Sequence, residues 1–345
     1  MRRCSRALDS LAHVLLAGDI GGTKTRLALY EESGGALRVV WYATYDSRSA
    51  STLEELVVHF LRASGNPETT AGCFGVAGAV VGGHVRTTNL PWSVSESGLA
   101  HELRIPRVKL LNDLEAAAYG VIAITDPSSL LALQAGEPPP EHRALTLVAA
   151  GTGLGVALMA WNGERYQVSP SEGGHCDFAP QDDVEDALLV WLRSELGHVS
   201  YERLVSGPGL VNIYRFLRYY RSEPEPAWLT ERIAGGDPAP FISEAALSHE
   251  DPICDEALTR FVSIYGAAAG NFALTALAVG GVFLGGGIAP KILPRLQDGP
   301  FLKSFAAKGR FAPALGKVPV HVVLAPDVAL LGAASFVANR PESAA

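Results

Sequence analysis

The chain has 345 residues, of which 48% are hydrophobic and 19% charged, enough apolar material for one large or two medium globular domains. Its formal net charge of -8 argues against nonspecific nucleic-acid binding, which needs a basic surface. No run of 18 apolar, uncharged residues occurs, so no membrane span is expected. The four cysteines are scattered without a C-x-x-C pair, which predicts reduced thiols rather than disulfides or a zinc knuckle. These properties indicate a cytoplasmic protein that acts on small molecules.

The first 13 residues carry Arg2, Arg3 and Arg6 ahead of a short apolar stretch. The stretch is interrupted by His13, and no small-residue cleavage site precedes the first predicted strand, which argues against a signal peptide. We therefore interpret these residues as a loose extension or as an artefact of the chosen start codon.

The first predicted strand leads into a glycine turn. Two apolar runs within Leu15–Leu29 are joined by Asp19-Ile20-Gly21-Gly22-Thr23. Glycines let backbone N–H groups approach phosphate oxygens, and an adjacent aspartate can hold a hydrated magnesium ion. The alternative is an ordinary hairpin whose glycines supply positive φ.

A second turn of the same kind lies within Ala149–Leu158, where strand, Gly151-Thr152-Gly153 and strand follow one another. Two such hairpins about 130 residues apart indicate a weak internal repeat. They predict two related halves that face one nucleotide.

Between and after these turns, strands alternate with helices, which predicts an α/β protein. An N-cap signature at Ser51–Glu55 opens a helix that ends at Ala63. A Pro-rich stretch, 136–141, places a domain boundary between about Gly120 and Arg143. The remaining predicted elements are strands at Arg38–Tyr45, Ala71–Gly78, Arg107–Leu111 and Val318–Leu324, helices near Leu99 and at Leu114–Tyr119, Asp255–Val279 and Val328–Asn339, irregular connections over Pro224–Pro240, and a strand running through Gly280–Pro290 into a glycine loop at a helix start.

Several segments together resemble the signature blocks of bacterial glucokinases. They are Gly18–Thr23, Leu111–Asp113, Ser171–Pro180 and Tyr201–Leu210, joined by Gly151–Gly155 and the Gly285 loop, in the family's order and spacing. The resemblance covers about Val14 to Asn339. It implies a two-domain actin-like ATPase fold, ribonuclease H-like, with a cleft between a smaller domain (14–122, completed by a helix at 327–340) and a larger one (123–326).

The resemblance also implies ATP-dependent phosphorylation of D-glucose at its 6-hydroxyl, giving glucose 6-phosphate and ADP. Such a reaction needs a carboxylate that takes the hydroxyl proton. Asp113 is the candidate base, because it lies at the predicted C-terminal end of a strand, where open α/β sheets bind ligands. The alternative is that Asn112 and Asp113 only cap the following helix.

A sugar pocket needs carboxylates, an amide and an imidazole to match a ring of hydroxyls. The family's sugar-binding positions correspond here to Asn112, Asp113, Glu172, His175 and Glu202. Ser206-Gly207-Pro208-Gly209 is interpreted as a turn that starts a helix and fixes Glu202.

For the nucleotide, the resemblance implies ATP and Mg²⁺, with Asp19 holding the hydrated metal and Thr23 and Thr152 contacting phosphate. Gly285, Gly286 and Gly287 would let the backbone pack against adenosine, although a plain strand-to-helix turn also uses such glycines. Lys24 stands where relatives often have Asn, so Lys24 itself is not assigned a phosphate contact. The related repressor and sugar-kinase family carries a cysteine-rich zinc motif after its active-site histidine, whereas here only Cys176 follows His175, so we expect no structural zinc. The full set of predicted nucleotide contacts is Gly18, Asp19, Ile20, Gly21, Gly22, Thr23, Gly151, Thr152, Gly153, Gly285, Gly286 and Gly287.

Three other functions are weighed against this one. A kinase for mannose, fructose or N-acetylmannosamine would have a similar pocket. A sugar-sensing repressor on the same fold would add a helix-turn-helix of about 60 residues, and only 13 residues precede Val14. A pure ATPase switch would leave Glu172, His175 and Glu202 unused. The predicted partners are glucose and ATP, with no nucleic acid, no membrane and a homodimer as the family expectation.

Overall fold

A computed structural model describes residues 13–87, 90–138 and 141–338, so the predicted N-terminal extension up to residue 12 lies outside the described chain. The chain divides into two compact units. The first comprises residues up to Asp126 and from Ala325 onward, and the second is Pro127–Leu324. Among the described residues, no helix has the length and apolar character that crossing a membrane requires.

The first unit is a mixed sheet with helices on both faces. Its strands, numbered along the whole chain, are β1 (His13–Ile20), β2 (Lys24–Ser33), β3 (Ala36–Asp46), β4 (Thr69–Val76), β5 (His84–Arg86), β6 (Ser93–Ser95) and β7 (Arg107–Asn112). Its helices are α1 (Leu53–Ala63), α2 (Glu96–Leu103), α3 (Asp113–Ala123) and α12 (Val328–Ala338). The strand order is β3-β2-β1-β4-β7, antiparallel from β3 to β1 and parallel from β1 to β7, and β5 pairs with β6 separately.

The alternation of side chains along β1 feeds two cores. Leu16 packs with Phe74 and the α1 residue Phe60, whereas Leu15 and Ala17 pack on the other face, towards α3 and α12. Helices α3 and α12 approach closely, because a Cβ at Gly332 would lie 1.8 Å from the Ala116 carbonyl oxygen. This contact fixes α3, and with it the helix start that follows β7.

The second unit has a sheet of the same topology with one further strand at its edge. Its strands are β8 (Leu130–Gln134), β9 (Leu145–Ala150), β10 (Leu154–Trp161), β11 (Tyr166–Ser171), β12 (Gly281–Gly285) and β13 (Val320–Val323). Their order is β11-β10-β9-β12-β13-β8. Strands β9 to β13 thus repeat the arrangement of β1, β2, β3, β4 and β7, which confirms the two related halves predicted from the glycine turns.

Helices fill most of the rest of the second unit. They are α4 (Asp183–Leu196), α5 (Gly207–Arg221), α6 (Ala227–Ile233), α7 (Pro238–Leu247), α8 (Pro252–Ala276), α9 (Leu293–Gln297), α10 (Pro300–Ala306) and α11 (Ala312–Leu315). The buried helix α8 backs the sheet, and the hydroxyl of fully buried Tyr265 donates to the Val148 carbonyl at 2.8 Å. This helix anchors β9, the strand that enters the second glycine turn.

Most predicted elements are confirmed, and three need correction. The Pro224–Pro240 stretch was predicted to be irregular, yet it contains α6 and the first turn of α7, because Pro238 occupies the first turn of its helix, where its missing N–H is no cost. Helix α8 begins at Pro252, not Asp255, because the Asp251 side chain caps it by accepting from Cys254 N at 2.8 Å. After the glycine loop, a turn extends to Ile292 before α9 begins. The C-terminal helix predicted to residue 339 or 340 is described as far as Ala338.

Candidate active site

The first glycine turn, between β1 and β2, is held from outside by Ser47. Gly21 N donates to the Lys24 carbonyl at 3.0 Å, which closes the turn. Ser47 N donates to the Thr23 carbonyl at 3.0 Å, and its hydroxyl donates to the Gly21 carbonyl at 2.7 Å. Ser47 is fully buried and also hydrogen-bonds the hydroxyl of buried Thr25 at 2.9 Å. The sequence offered no signal for Ser47, since a single serine after a strand has no distinctive pattern.

Asp19 lies beside this turn, opposite Arg26 in the β1–β2 register. The Arg26 guanidinium contacts the Asp19 carboxylate at 3.1 Å and lies 4.0 Å from Asp327. Burial raises the pKa of Asp19, Arg26 opposes the rise, and the charges of Asp113 and Asp327 add to it. A carboxylate beside the turn is the kind of oxygen ligand that a hydrated divalent cation prefers.

Two of the predicted nucleotide-contacting residues in β1, Ile20 and Gly18, face the hydrophobic core. Ile20 is buried among apolar side chains, and a Cβ at Gly18 would lie 2.3 Å from a ring carbon of Phe74. Only the backbone of these two positions is therefore available to a ligand.

Asn112 and Asp113 lie where β7 ends and α3 begins, as predicted. The Asn112 side-chain oxygen caps α3 by accepting from Leu114 N at 3.0 Å, and its amide nitrogen donates to the Gly78 carbonyl at 3.1 Å. Asp113 is the first residue of α3 and is exposed, with one carboxylate oxygen 2.9 Å from Leu114 N. The capping interpretation thus describes Asn112, while the helix N-terminus stabilises the Asp113 charge.

The second glycine turn, between β9 and β10, is braced by two other segments of its unit. Gly151 N donates to the Gly153 carbonyl at 2.9 Å. Gly207 N, at the start of α5, donates to the Gly151 carbonyl at 2.9 Å, and Ile288 N, in the glycine loop after β12, donates to the Ala150 carbonyl at 3.2 Å. The predicted phosphate turn and the predicted adenosine loop are therefore neighbours.

Three predicted sugar ligands cluster beside this turn. His175 Nδ1 lies 3.9 Å from Glu202 Oε1, and His175 Nε2 lies 3.8 Å from Glu172 Oε2. Glu202 Oε2 accepts from Leu154 N at 3.0 Å. Gly174 permits the approach of the histidine segment, because a Cβ there would lie 2.0 Å from the Leu154 carbonyl oxygen. Ser206 caps α5 and donates its hydroxyl to the Glu202 carbonyl at 2.7 Å, which confirms the predicted structural role of this turn.

A cavity of about 1000 Å³ opens next to the second glycine turn. That volume lies at the upper end of the range for small-molecule sites. Gly286 adopts a φ of 79°, and a Cβ there would lie 2.2 Å from the Ala150 carbonyl oxygen, so the loop requires glycine. Gly285 is packed against Leu147, whereas Gly287 faces open space. The lining includes Gly151, Thr152, Gly207, Asp237, Glu244, Gly287 and Lys291, of which the three charged residues were not predicted.

Within the described chain, no group of three or more His, Cys, Asp or Glu residues could hold a metal ion. Cys73, Cys176 and Cys254 are free thiols. A single carboxylate, that of Asp19 beside the first glycine turn, fits Mg²⁺ that keeps most of its water ligands.

Two α/β units of one topology, each with a braced glycine turn, define a two-domain sugar kinase fold. A crystal structure of a glucokinase from an Antarctic psychrotroph shares it with a TM-score of 0.86 and 31% identity, covering 95% of this chain and 99% of that one. A ROK family glucokinase from Streptomyces griseus, solved with glucose and AMPPNP, matches with a TM-score of 0.64 and 21% identity over 94% and 98% of the two chains.

Sequence comparisons identify the family within this fold. The family profile described as Glucokinase matches residues 16–340. The glucokinase of Nostoc punctiforme is 42% identical over 335 residues, which cover 93% of this chain and 98% of that protein. The chain belongs to the glucokinase family.

Proposed function

We propose that this protein transfers the terminal phosphoryl group of ATP to the 6-hydroxyl of D-glucose, giving glucose 6-phosphate and ADP. The observation that carries the proposal is the cluster of Glu172, His175 and Glu202 beside the second glycine turn. Carboxylates and an imidazole match sugar hydroxyls, and the neighbouring turn matches phosphates, so one unit offers ligands for both substrates.

In this proposal Asp113 accepts the proton of the 6-hydroxyl as the phosphoryl group arrives. The carboxylate is exposed at the start of α3, and the cap of that helix comes from Asn112. Phosphoryl transfer has a loose transition state, so orienting the hydroxyl is as much a part of this role as removing its proton. The amide of Asn112 and the side chains of Glu172, His175 and Glu202 bind the other hydroxyls.

The nucleotide is proposed to bind through backbone N–H groups of the two glycine turns and the hydroxyls of Thr23 and Thr152. Adenosine would occupy the cavity lined by Gly287 and Lys291. Asp19 would hold Mg²⁺ through water, and the ion would neutralise charge on the phosphates. The ROK family relative solved with glucose and AMPPNP supports the use of both substrates on this fold.

The finer structural assignments belong to the same proposal. They are the actin-like, ribonuclease H-like fold with a cleft, a catalytic cycle that uses Asp113 from the first unit and Glu202 from the second, a homodimeric assembly and a cytoplasmic location. Support for the first two comes from the shared sheet topology of the units and from the family.

A sugar panel tests the proposed substrate. Purified protein is assayed for ADP formation with ATP, Mg²⁺ and, separately, glucose, mannose, fructose or N-acetylmannosamine. We expect glucose to give the highest kcat/KM. A higher value for another hexose would assign the pocket to that sugar, and ADP release that no sugar alters would indicate an ATPase.

A further inference from the structure

Glu202 touches two functional parts of the second unit at once. One oxygen, Oε2, accepts a hydrogen bond from Leu154 N at 3.0 Å, at the exit of the glycine turn. The other, Oε1, lies 3.9 Å from His175 Nδ1, within the sugar cluster. The side chain is about one-quarter exposed, so this pair of contacts is partly shielded from water.

The contact between Glu202 and the glycine turn is tight. A Cβ at Gly153 would lie 2.5 Å from Glu202 Oε2, so any side chain there would force the carboxylate to move. The segment after Glu202 contacts the same turn again, because Gly207 N donates to the Gly151 carbonyl at 2.9 Å. The Glu202 side chain therefore braces the glycine turn by a hydrogen bond and also belongs to the sugar cluster.

We propose that Glu202 is a positioning residue that couples sugar binding to nucleotide affinity, an inference that rests on the proposed glucokinase function. A sugar hydroxyl bound at Oε1 fixes the orientation of the carboxylate. Oε2 then holds Leu154 N–H, and with it the glycine turn, in the arrangement that receives phosphates. Because such coupling is reciprocal, bound nucleotide raises the affinity for glucose by the same factor.

The coupling is measured by equilibrium binding of AMPPNP with Mg²⁺, without glucose and with saturating glucose. For the wild-type protein we expect glucose to tighten AMPPNP binding about tenfold, within the usual range for coupled sites. Glu202→Gln keeps the shape but makes the acceptor neutral. It should weaken AMPPNP binding about fivefold even without sugar, since a charged acceptor is the stronger one, and should largely remove the effect of glucose.

Glu172→Gln is the matched control. Glu172 is a proposed sugar ligand with the same charge, but its described contact is to His175 rather than to the glycine turn. Glu172→Gln should bind glucose more weakly than the wild type does. Without sugar it should bind AMPPNP with wild-type affinity, and saturating glucose should enhance that affinity in full. Gly153→Ala is a second probe, because it keeps the glutamate at position 202 but displaces its carboxylate, and it should reproduce the loss of coupling.

The sugar-free measurement decides the matter even if Glu202→Gln cannot be saturated with glucose. Wild-type AMPPNP affinity of Glu202→Gln without sugar would overturn the proposal, as would full enhancement of that affinity by glucose, and either result would leave Glu202 as a sugar ligand only. A wild-type protein whose AMPPNP affinity ignores glucose would overturn it too. Failure of the proposed function is a separate result, namely no glucose-dependent ADP formation by the wild type.

Discussion

Asn112 and Asp113 are adjacent, but the start of α3 gives them different environments. The Asn112 oxygen is engaged by Leu114 N, so this residue terminates β7 and caps the helix. Asp113 lies one position further on, exposed in the first helical turn, where backbone N–H groups favour negative charge. The Asp113 side chain is thus accessible to solvent, whereas the Asn112 oxygen is used by the helix.

Asp113→Asn tests this division of roles. An amide cannot act as a base, so kcat should fall about a hundredfold to ten-thousandfold, the usual loss on removing a general base. Glucose affinity should be largely retained, because the amide oxygen still accepts hydrogen bonds. Steady-state kinetics and a thermal unfolding scan are run together. A near-native kcat with a lowered melting temperature would assign Asp113 to helix capping instead.

The sequence predicted these candidate site residues but not the contacts that hold them. Asp113, Glu172 and Glu202 were proposed because they stand in short motifs that resemble those of the family and whose residue types suit sugar and phosphate chemistry. The bond from Leu154 N to Glu202 and the bond from Ser47 to Gly21 join residues far apart in the chain. Such contacts depend on how turns pack in three dimensions, and local sequence patterns do not record that packing.

At the scale of elements, both glycine turns depend on partners outside their own hairpins. Ser47, in the short turn after β3, holds the first one through its backbone N–H and its hydroxyl. The second is held by Glu202, Gly207 and Ile288. Glycine gives these turns close access to a ligand, and the external hydrogen bonds limit the mobility that glycine would otherwise bring.

Ser47→Ala should show the value of this brace. Loss of the hydroxyl leaves buried Thr25 and the Gly21 carbonyl without that partner, which should lower the free energy of unfolding by about 1 to 3 kcal/mol. The KM for ATP should rise more than kcat falls. Ser49→Ala is the control, since Ser49 is in the same turn and donates to the Asp46 carbonyl, but is exposed. Equal effects in both variants would contradict the assigned role.

A second element-scale feature is the junction of α5 and α8. Asp251 caps α8 and pairs with Arg218 at 2.6 Å, and both side chains are largely buried. Burial would raise the pKa of Asp251, but the hydrogen bonds from Arg218 and Cys254 N outweigh it and leave the pKa below its ordinary value. A lowered folded pKa means that the stabilisation is present at neutral pH and is lost as the pH falls below about 4, through the lowered value.

Asp251→Asn keeps the cap but leaves Arg218 buried without its counter-charge. Urea unfolding at pH 7 should show a loss of about 3 kcal/mol, typical of breaking a buried pair. The difference in the free energy of unfolding between the variant and the wild type should become smaller as the pH falls below about 4, because the wild-type carboxylate is then protonated. Glu137→Gln, in a largely exposed pair with Lys317, should change stability little. If this difference in the free energy of unfolding stays constant down to acidic pH, the assigned link between the Asp251 charge and stability is wrong.

At the scale of the whole molecule, the repeated sheet was predictable because each half contains a glycine turn between two apolar runs. The order of β1, β2, β3, β4 and β7 recurs in the second unit. Helix α6 was not predicted, since the prolines and glycines around it indicate a loop when taken alone, whereas packing of Leu229 in the core favours the helix. Tertiary burial here outweighs local propensity.

The division of site residues between the units has a functional consequence. Asp113 belongs to the first unit, and Glu172, His175 and Glu202 belong to the second. Under the proposed function neither unit is sufficient, because the base and most of the sugar ligands reside in different parts of the chain.

The most direct test of the account is to identify the product of the wild-type protein by ³¹P nuclear magnetic resonance. Protein, ATP, Mg²⁺ and glucose are incubated and the phosphorus signals followed with time, alongside a sample with 6-deoxyglucose and one without sugar. We predict that ADP and glucose 6-phosphate appear in equal amounts in the sample with glucose, and that no sugar phosphate appears in the other two samples. Inorganic phosphate in place of a sugar phosphate, or a sugar phosphate formed from 6-deoxyglucose, would contradict phosphorylation at the 6-hydroxyl.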